Sequence, residues 1–182
     1  MATTGQPAPS SPRAVDKGDT VRVMDALGPP EGNVQQSARE ALEAWLAPLN
    51  DNPAVAAVVA DEERDGRWFV RVHGEAKDVY SVWFTLDQRT LGVESYVLPA
   101  PEENHGAFFE QLLRRTGNLR DVAFCIGEEG SIFLKGRIDL RHIDPEVLDR
   151  VLGEIYETVE QSFQAALHLG FASRMADRAT KD

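Results

Sequence analysis

The sequence predicts an α+β domain, one antiparallel sheet with helices, in the order α-βββ-α-ββ-α. Three observations point to it. Apolar residues recur at helical spacing in three separated stretches. Between them, runs rich in β-branched and aromatic residues alternate with period two. These runs are joined by short polar turns, and no βαβ alternation is present, so a doubly wound nucleotide-binding sheet is not expected.

The first helix is read from SAREALEAWLAPLN. Ser37 and Glu40 have the spacing of a capping box, Ala38, Ala41, Leu42, Trp45, Leu46 and Leu49 form a stripe, and Pro48 ends the helix near Leu46. AVAAVVA (54–60) is a candidate further edge strand, although alanine suits helix better. RWFVRVHG, DVYSVWFTL and LGVESYVL are the three strands, with DQRT as one of the turns. PEENHGAFFEQLLRRTGN is the second helix, opened by Pro101 and stopped by Gly117. RDVAFCI and SIFLKGRI form a hairpin across GEEG. The last helix is long, with Asp144 as N-cap, Pro145 at its first position and Gly170 at its end. Gly153 in mid-helix either admits another backbone or is simply tolerated.

A domain over 34–173 is expected, preceded by a disordered arm over 1–33 and followed by a flexible tail over 174–182. The arm holds five of the ten prolines and one short apolar patch, VRVMDALG (21–28).

Alternation sorts the strands into two faces. One is apolar: Trp68, Val70 and Val72; Tyr80, Val82, Phe84 and Leu86; Leu91, Val93 and Val97; Val122, Phe124 and Ile126; Ile132, Leu134 and Ile138. The other mixes large aromatics with charges: Phe69, Arg71, Val79, Trp83, Glu94, Tyr96, Cys125, Phe133, Lys135 and Arg137. Either a helix or the N-terminal arm covers this second face, or it meets another protein, since interface cores favour aromatics and Arg. Phe69, Arg71, Trp83, Phe133 and Arg137 are the candidate contact residues.

Charge and cysteine content narrow the classes further. The net charge of −11, from 30 acidic and 19 basic residues, argues against nucleic acid and anionic membranes as partners. The single Cys125 forms no intramolecular disulfide, and no run reaches the roughly 18 apolar residues of a membrane span, so a cytoplasmic protein is expected.

PEENH has the residue types of a metal site or an acid–base centre. Glu102 and Glu103 equally suit the positive end of a helix, and His105 equally suits the edge of a buried stripe. No HExxH, CxxC or GxSxG motif is present. A pocket at Asn104 and His105, with His73 or His142 as a second ligand, is the enzymatic alternative; no metal or cofactor is expected. The acidic run Glu146, Asp149, Glu154, Glu157 and Glu160 on the last helix is either solvated or a dock for a basic segment.

The run ENH…LLRR…VAF…G.I.L.GRI.L…LDRVLG…F…L.LGFAS resembles the actinobacterial branch of the YbjN family over about residues 37–173. It departs from that pattern at Thr116–Gly117–Asn118, Ser131 and Gln164, and after Met175. The resemblance implies a type III secretion chaperone-like fold and a small, acidic, dimeric protein binder or sensory-transduction regulator. It transfers no catalytic residue. The expected function is therefore a non-enzymatic protein-binding module acting as a homodimer on a protein partner.

Overall fold

The computed structural model describes residues 31–179. The expected proline-rich arm, with its apolar patch, lies outside the described residues as far as Pro30. Helix α1 spans Glu31–Leu46, and a 3₁₀ turn over Ala47–Asp51 follows at Pro48. Strands β1 (Val55–Ala60), β2 (Arg67–His73), β3 (Val79–Leu86) and β4 (Thr90–Leu98) come next. Helix α2 (His105–Thr116), strands β5 (Val122–Ile126) and β6 (Ile132–Asp139), and helices α3 (Pro145–Gly170) and α4 (Ala172–Ala179) complete the chain. The expected α+β class holds, with AVAAVVA forming a fourth strand before α2.

All six strands lie in one antiparallel sheet, ordered β1-β2-β3-β4-β6-β5. The helices occupy one face. Leu42 and Trp45 of α1, Phe108 and Leu112 of α2, and Leu148, Val151, Ile155 and Val159 of α3 are buried with the apolar strand set in one core. Trp45 meets Phe84 edge-on at 5.5 Å, and its indole N–H donates to Asp149 on α3 at 2.7 Å. A register shift between Tyr96 and Leu98 turns both Val97 and Leu98 inward, a β-bulge that adds one apolar side chain to the core. Buried Ser95, outside the expected apolar set, donates its hydroxyl to the Ser81 carbonyl.

Several expected details are corrected. Helix α1 begins at Glu31, so Ser37 lies inside it and caps nothing; partly buried Val34 carries the apolar stripe one turn upstream. Ile126, expected in the core, is 63% exposed, because β5 ends there before the Gly127 turn. Helix α4 runs into the stretch read as the tail, over 174–179; residues 180–182 lie outside the described residues. A side chain at Gly153 would meet nothing within 4 Å among the described residues, so no described backbone approaches there. At Gly170 a Cβ would stand 2.9 Å from the Phe108 ring, so this glycine serves close helix packing.

The acidic run on α3 divides: Glu146 and Glu157 are exposed, whereas Asp149, Glu154 and Glu160 are engaged within the chain. Glu160 accepts the backbone N–H groups of Glu75 and Ala76 at 3.1 and 2.7 Å. Glu154 accepts those of Arg120, Asp121 and Val122 at 2.7, 2.7 and 3.2 Å. With the Thr116 hydroxyl accepting from Phe124 N–H, Glu154 occupies outward donors of edge strand β5. On the opposite edge, Asn50 accepts from Val58 N–H of β1. Both sheet edges are thus blunted by side chains. Among the described residues no helix is long and apolar enough to cross a membrane.

Candidate functional site

PEENH is a clamp. The N–H groups of Glu102 and Glu103 donate to the Gly170 carbonyl, and the Asn104 amide donates to the Leu169 carbonyl at 2.9 Å, so both terminal acceptors of α3 are satisfied. The Glu103 carboxylate then accepts from the Ser173 N–H and hydroxyl at 2.6 and 3.1 Å, capping α4 from a distance. Glu102 pairs with Arg174 at 2.8 Å. Helix α2 starts only at His105, with Asn104 as N-cap at φ 52°, so neither glutamate sits in its first turn as expected. His105 is exposed, not packed at the edge of the apolar stripe. No group of three or more His, Cys, Asp or Glu side chains able to hold a metal occurs among the described residues.

The other candidates gather on the sheet face opposite the helices. The strand register sets their order. One row runs Val59, Phe69, Trp83, Glu94, Lys135, Ala123 from β1 to β5. The Phe69 and Trp83 rings lie 4.8 Å apart, and Arg71 stands 5.6 Å over Phe69. In a second cluster Phe133 meets Tyr96 edge-on at 5.5 Å, with the Lys135 ammonium 4.9 Å above its ring. Gly127 makes room for Phe133, since a Cβ there would fall 2.6 Å from the ring.

Glu94 lies between the two aromatic clusters, 3.2 Å from Lys135 and 3.5 Å from Arg67. Arg67 stacks on Trp83 at 4.1 Å. Phe69, Trp83 and Phe133 are half-buried, and Arg71, Arg137 and Tyr96 are exposed, so no described helix covers this face. Beside Glu94 a groove of about 540 Å³ opens, lined by Arg64, Arg67, Lys135 and Arg137 among others. A smaller apolar hollow of about 100 Å³ lies between α2 and β5, where Leu113 and Ile126 are exposed.

Lys77, from the β2–β3 turn, donates to the Tyr96 and Val97 carbonyls at 2.6 and 3.0 Å, filling the gap left by the β4 bulge. Burial pulls its ammonium down to about 8. Burial, reinforced by the nearby Glu160 carboxylate, holds the Tyr80 phenol well above its ordinary range.

The sequence model of the YbjN family, described as "Putative bacterial sensory transduction regulator", matches residues 38–168, from α1 into α3. The chain belongs to the YbjN family. Two mycobacterial relatives share the match. An uncharacterised protein of Mycobacterium leprae is 35% identical over 107 residues, 59% of this chain and 58% of the relative. An uncharacterised protein of Mycobacterium bovis is 36% identical over 104 residues, 57% of each chain. The match therefore spans little more than half the length of these relatives. The YbjN match takes in the whole sheet, including both aromatic clusters.

All five contact candidates lie on the one sheet face that no described helix covers; the N-terminal arm, the other expected cover, lies outside the described residues. Phe69, Trp83 and Arg71 share β2 and β3, whereas Phe133 and Arg137 share β6, separated from them by β4. Arg67 and Arg64 were missed as site residues. Arg67 carries the same alternation as Phe69 and Arg71 and was legible; Arg64 lies in a turn, where period two gives no signal.

Proposed function

We propose that this YbjN-family chain is a non-enzymatic, protein-binding regulator of chaperone-like character, acting as a homodimer. Its contact surface is the uncovered sheet face around Phe69, Arg71, Trp83, Phe133 and Arg137. The one-sidedness of the fold carries this reading: helices and apolar core lie on one side, while the other holds two aromatic clusters flanked by Arg and Lys. Half-buried aromatics beside guanidinium groups are the composition of interface hot spots. The blunted edges of β1 and β5 favour contact through the face over strand addition at an edge. The family description as a sensory-transduction regulator is in keeping with a partner-binding role. Asn104 and Glu103 are already engaged in the α3–α4 clamp, and among the described residues no metal-ligating cluster includes His105.

The test is the solution mass across a dilution series, for the wild type and for Trp83→Glu combined with Phe133→Glu. A wild-type dimer that becomes a folded monomer in the double variant supports the proposal. A wild-type monomer refutes the homodimer, and a double variant that still dimerises moves the interface off this face.

A further inference from the structure

We propose that the groove at the Gly92 end of the uncovered face is a binding site for a small anionic molecule bearing phosphate or carboxylate groups. The register aligns Arg67, Thr85, Gly92 and Arg137 in one row across β2, β3, β4 and β6. Gly92 leaves a dent in that row: a Cβ there would meet nothing closer than the Thr85 carbonyl at 3.7 Å. Arg64 from the β1–β2 turn and Lys135 from the next row complete a wall of cations. The volume of about 540 Å³ is that of a small-molecule site.

The charge balance inside the groove is the reverse of the chain's. Four cations, Arg64, Arg67, Lys135 and Arg137, face two carboxylates, Asp87 and Glu94, whereas the whole chain carries −11. A concave cluster with a surplus of one sign focuses potential toward the opposite charge. The cations are also under-used. Arg39, Arg114, Arg141, Arg150 and Arg174 each hold a carboxylate within 2.8 Å. Arg64 and Arg137 have no such partner among the described residues. Arg67 reaches Asp61 and Glu94 only at 3.6 and 3.5 Å, and its buried Nε has no acceptor among the described residues. Guanidinium forks match phosphate and carboxylate geometry.

A small molecule fits better than an extended acidic segment. The four groove cations gather at one end of the face, and beyond Glu94 it turns aromatic at Tyr96 and Phe133. The groove shares Arg137 with the proposed protein-binding surface, and anion titration and solution mass test the two readings separately.

Trp83 reports on the groove, since Arg67 lies on its ring while Trp45 and Trp68 are buried on the helical side. The experiment titrates the full chain with pyrophosphate, and separately with citrate, at constant ionic strength, following tryptophan emission and heat. Saturable binding of at least one anion at one site per chain is expected. Arg137→Gln should weaken it about tenfold or more, the equivalent of one charge-assisted contact. Glu94→Gln should tighten it severalfold by freeing Lys135 and Arg67. Arg120→Gln removes the same charge outside the groove and should leave the affinity unchanged. Absence of saturation with both anions overturns the proposal. So does an Arg120→Gln loss equal to that of Arg137→Gln, or binding of oligoglutamate where both small anions fail.

Discussion

Replacing Glu154 with Ala is the sharpest test of how the sheet is finished. Its carboxylate holds three successive backbone N–H groups at the start of β5: Arg120 on one oxygen, Asp121 and Val122 on the other. Arg120 is exposed, so water replaces that bond at little cost. Asp121 and Val122 are less accessible, and each loses a charge-assisted bond to a carboxylate. At about 1.5–3 kcal/mol for a hydrogen bond to a charged group, discounted for partial hydration, the loss is about 3 kcal/mol. For a domain of this size that lowers Tm by about 6–12 °C. Glu157, exposed on the same helix and without a hydrogen bond or ion pair among the described residues, is the control. Glu157→Ala should stay within about 0.5 kcal/mol of wild type. Urea unfolding followed by tryptophan emission measures both variants. The freed N–H groups also reopen the β5 edge, so Glu154→Ala should associate at concentrations where Glu157→Ala does not. A Glu154→Ala cost no larger than that of Glu157→Ala would refute the capping role.

Three further outcomes follow from the same geometry. Gly153→Ala should stabilise the chain by about 1 kcal/mol in the same unfolding assay, because the new methyl meets nothing and the helix interior loses a glycine; a loss of stability would show hidden packing. Glu103→Ala should cost about 1 kcal/mol and speed amide exchange in α4, while His105→Ala should be neutral within about 0.5 kcal/mol; a neutral Glu103→Ala would show that α4 needs no remote cap. Lys77 should titrate near 8 instead of the ordinary 10.5 when its Nζ is followed by NMR, and a midpoint near 10.5 would rule out the burial described. Between those two values the unfolded chain binds more protons at this residue, so the Lys77 contribution to stability rises with pH and is lost as pH falls through about 8. Tyr80 acts in the opposite sense at higher pH, because its phenol keeps a proton that the unfolded chain gives up near its ordinary pKa of 10.0.

The inward strand faces were legible because period-two alternation is a local property: Val70, Val82, Phe84, Leu91 and Leu134 each declare their side without knowledge of the fold. The Asp144 cap was legible for the same reason, as one side chain reaching Val147 three residues on. What was not legible depends on partners far along the chain. Glu103 resembles a first-turn helix acid until Ser173 is placed beside it. Glu154 resembles a solvated acid until β5 is laid along α3. The aromatic face was visible strand by strand, but its grouping was not. Strand β6 crosses between β4 and β5, and only that order sets Arg137 opposite Gly92 and Lys135 opposite Glu94. The bulge at Tyr96–Leu98 likewise has no mark in LGVESYVL.

The uncovered face is tested most directly by ¹⁹F NMR of the chain labelled with fluorotryptophan, recorded across a dilution series alongside the solution mass. Trp83 alone of the three tryptophans lies on that face; Trp45 and Trp68 are buried on the other. If the face is the dimer interface, the Trp83 resonance moves in step with the change from monomer to dimer while the other two stay fixed. A mass that remains monomeric throughout, or a dimer that forms with the Trp83 resonance unmoved, would contradict it.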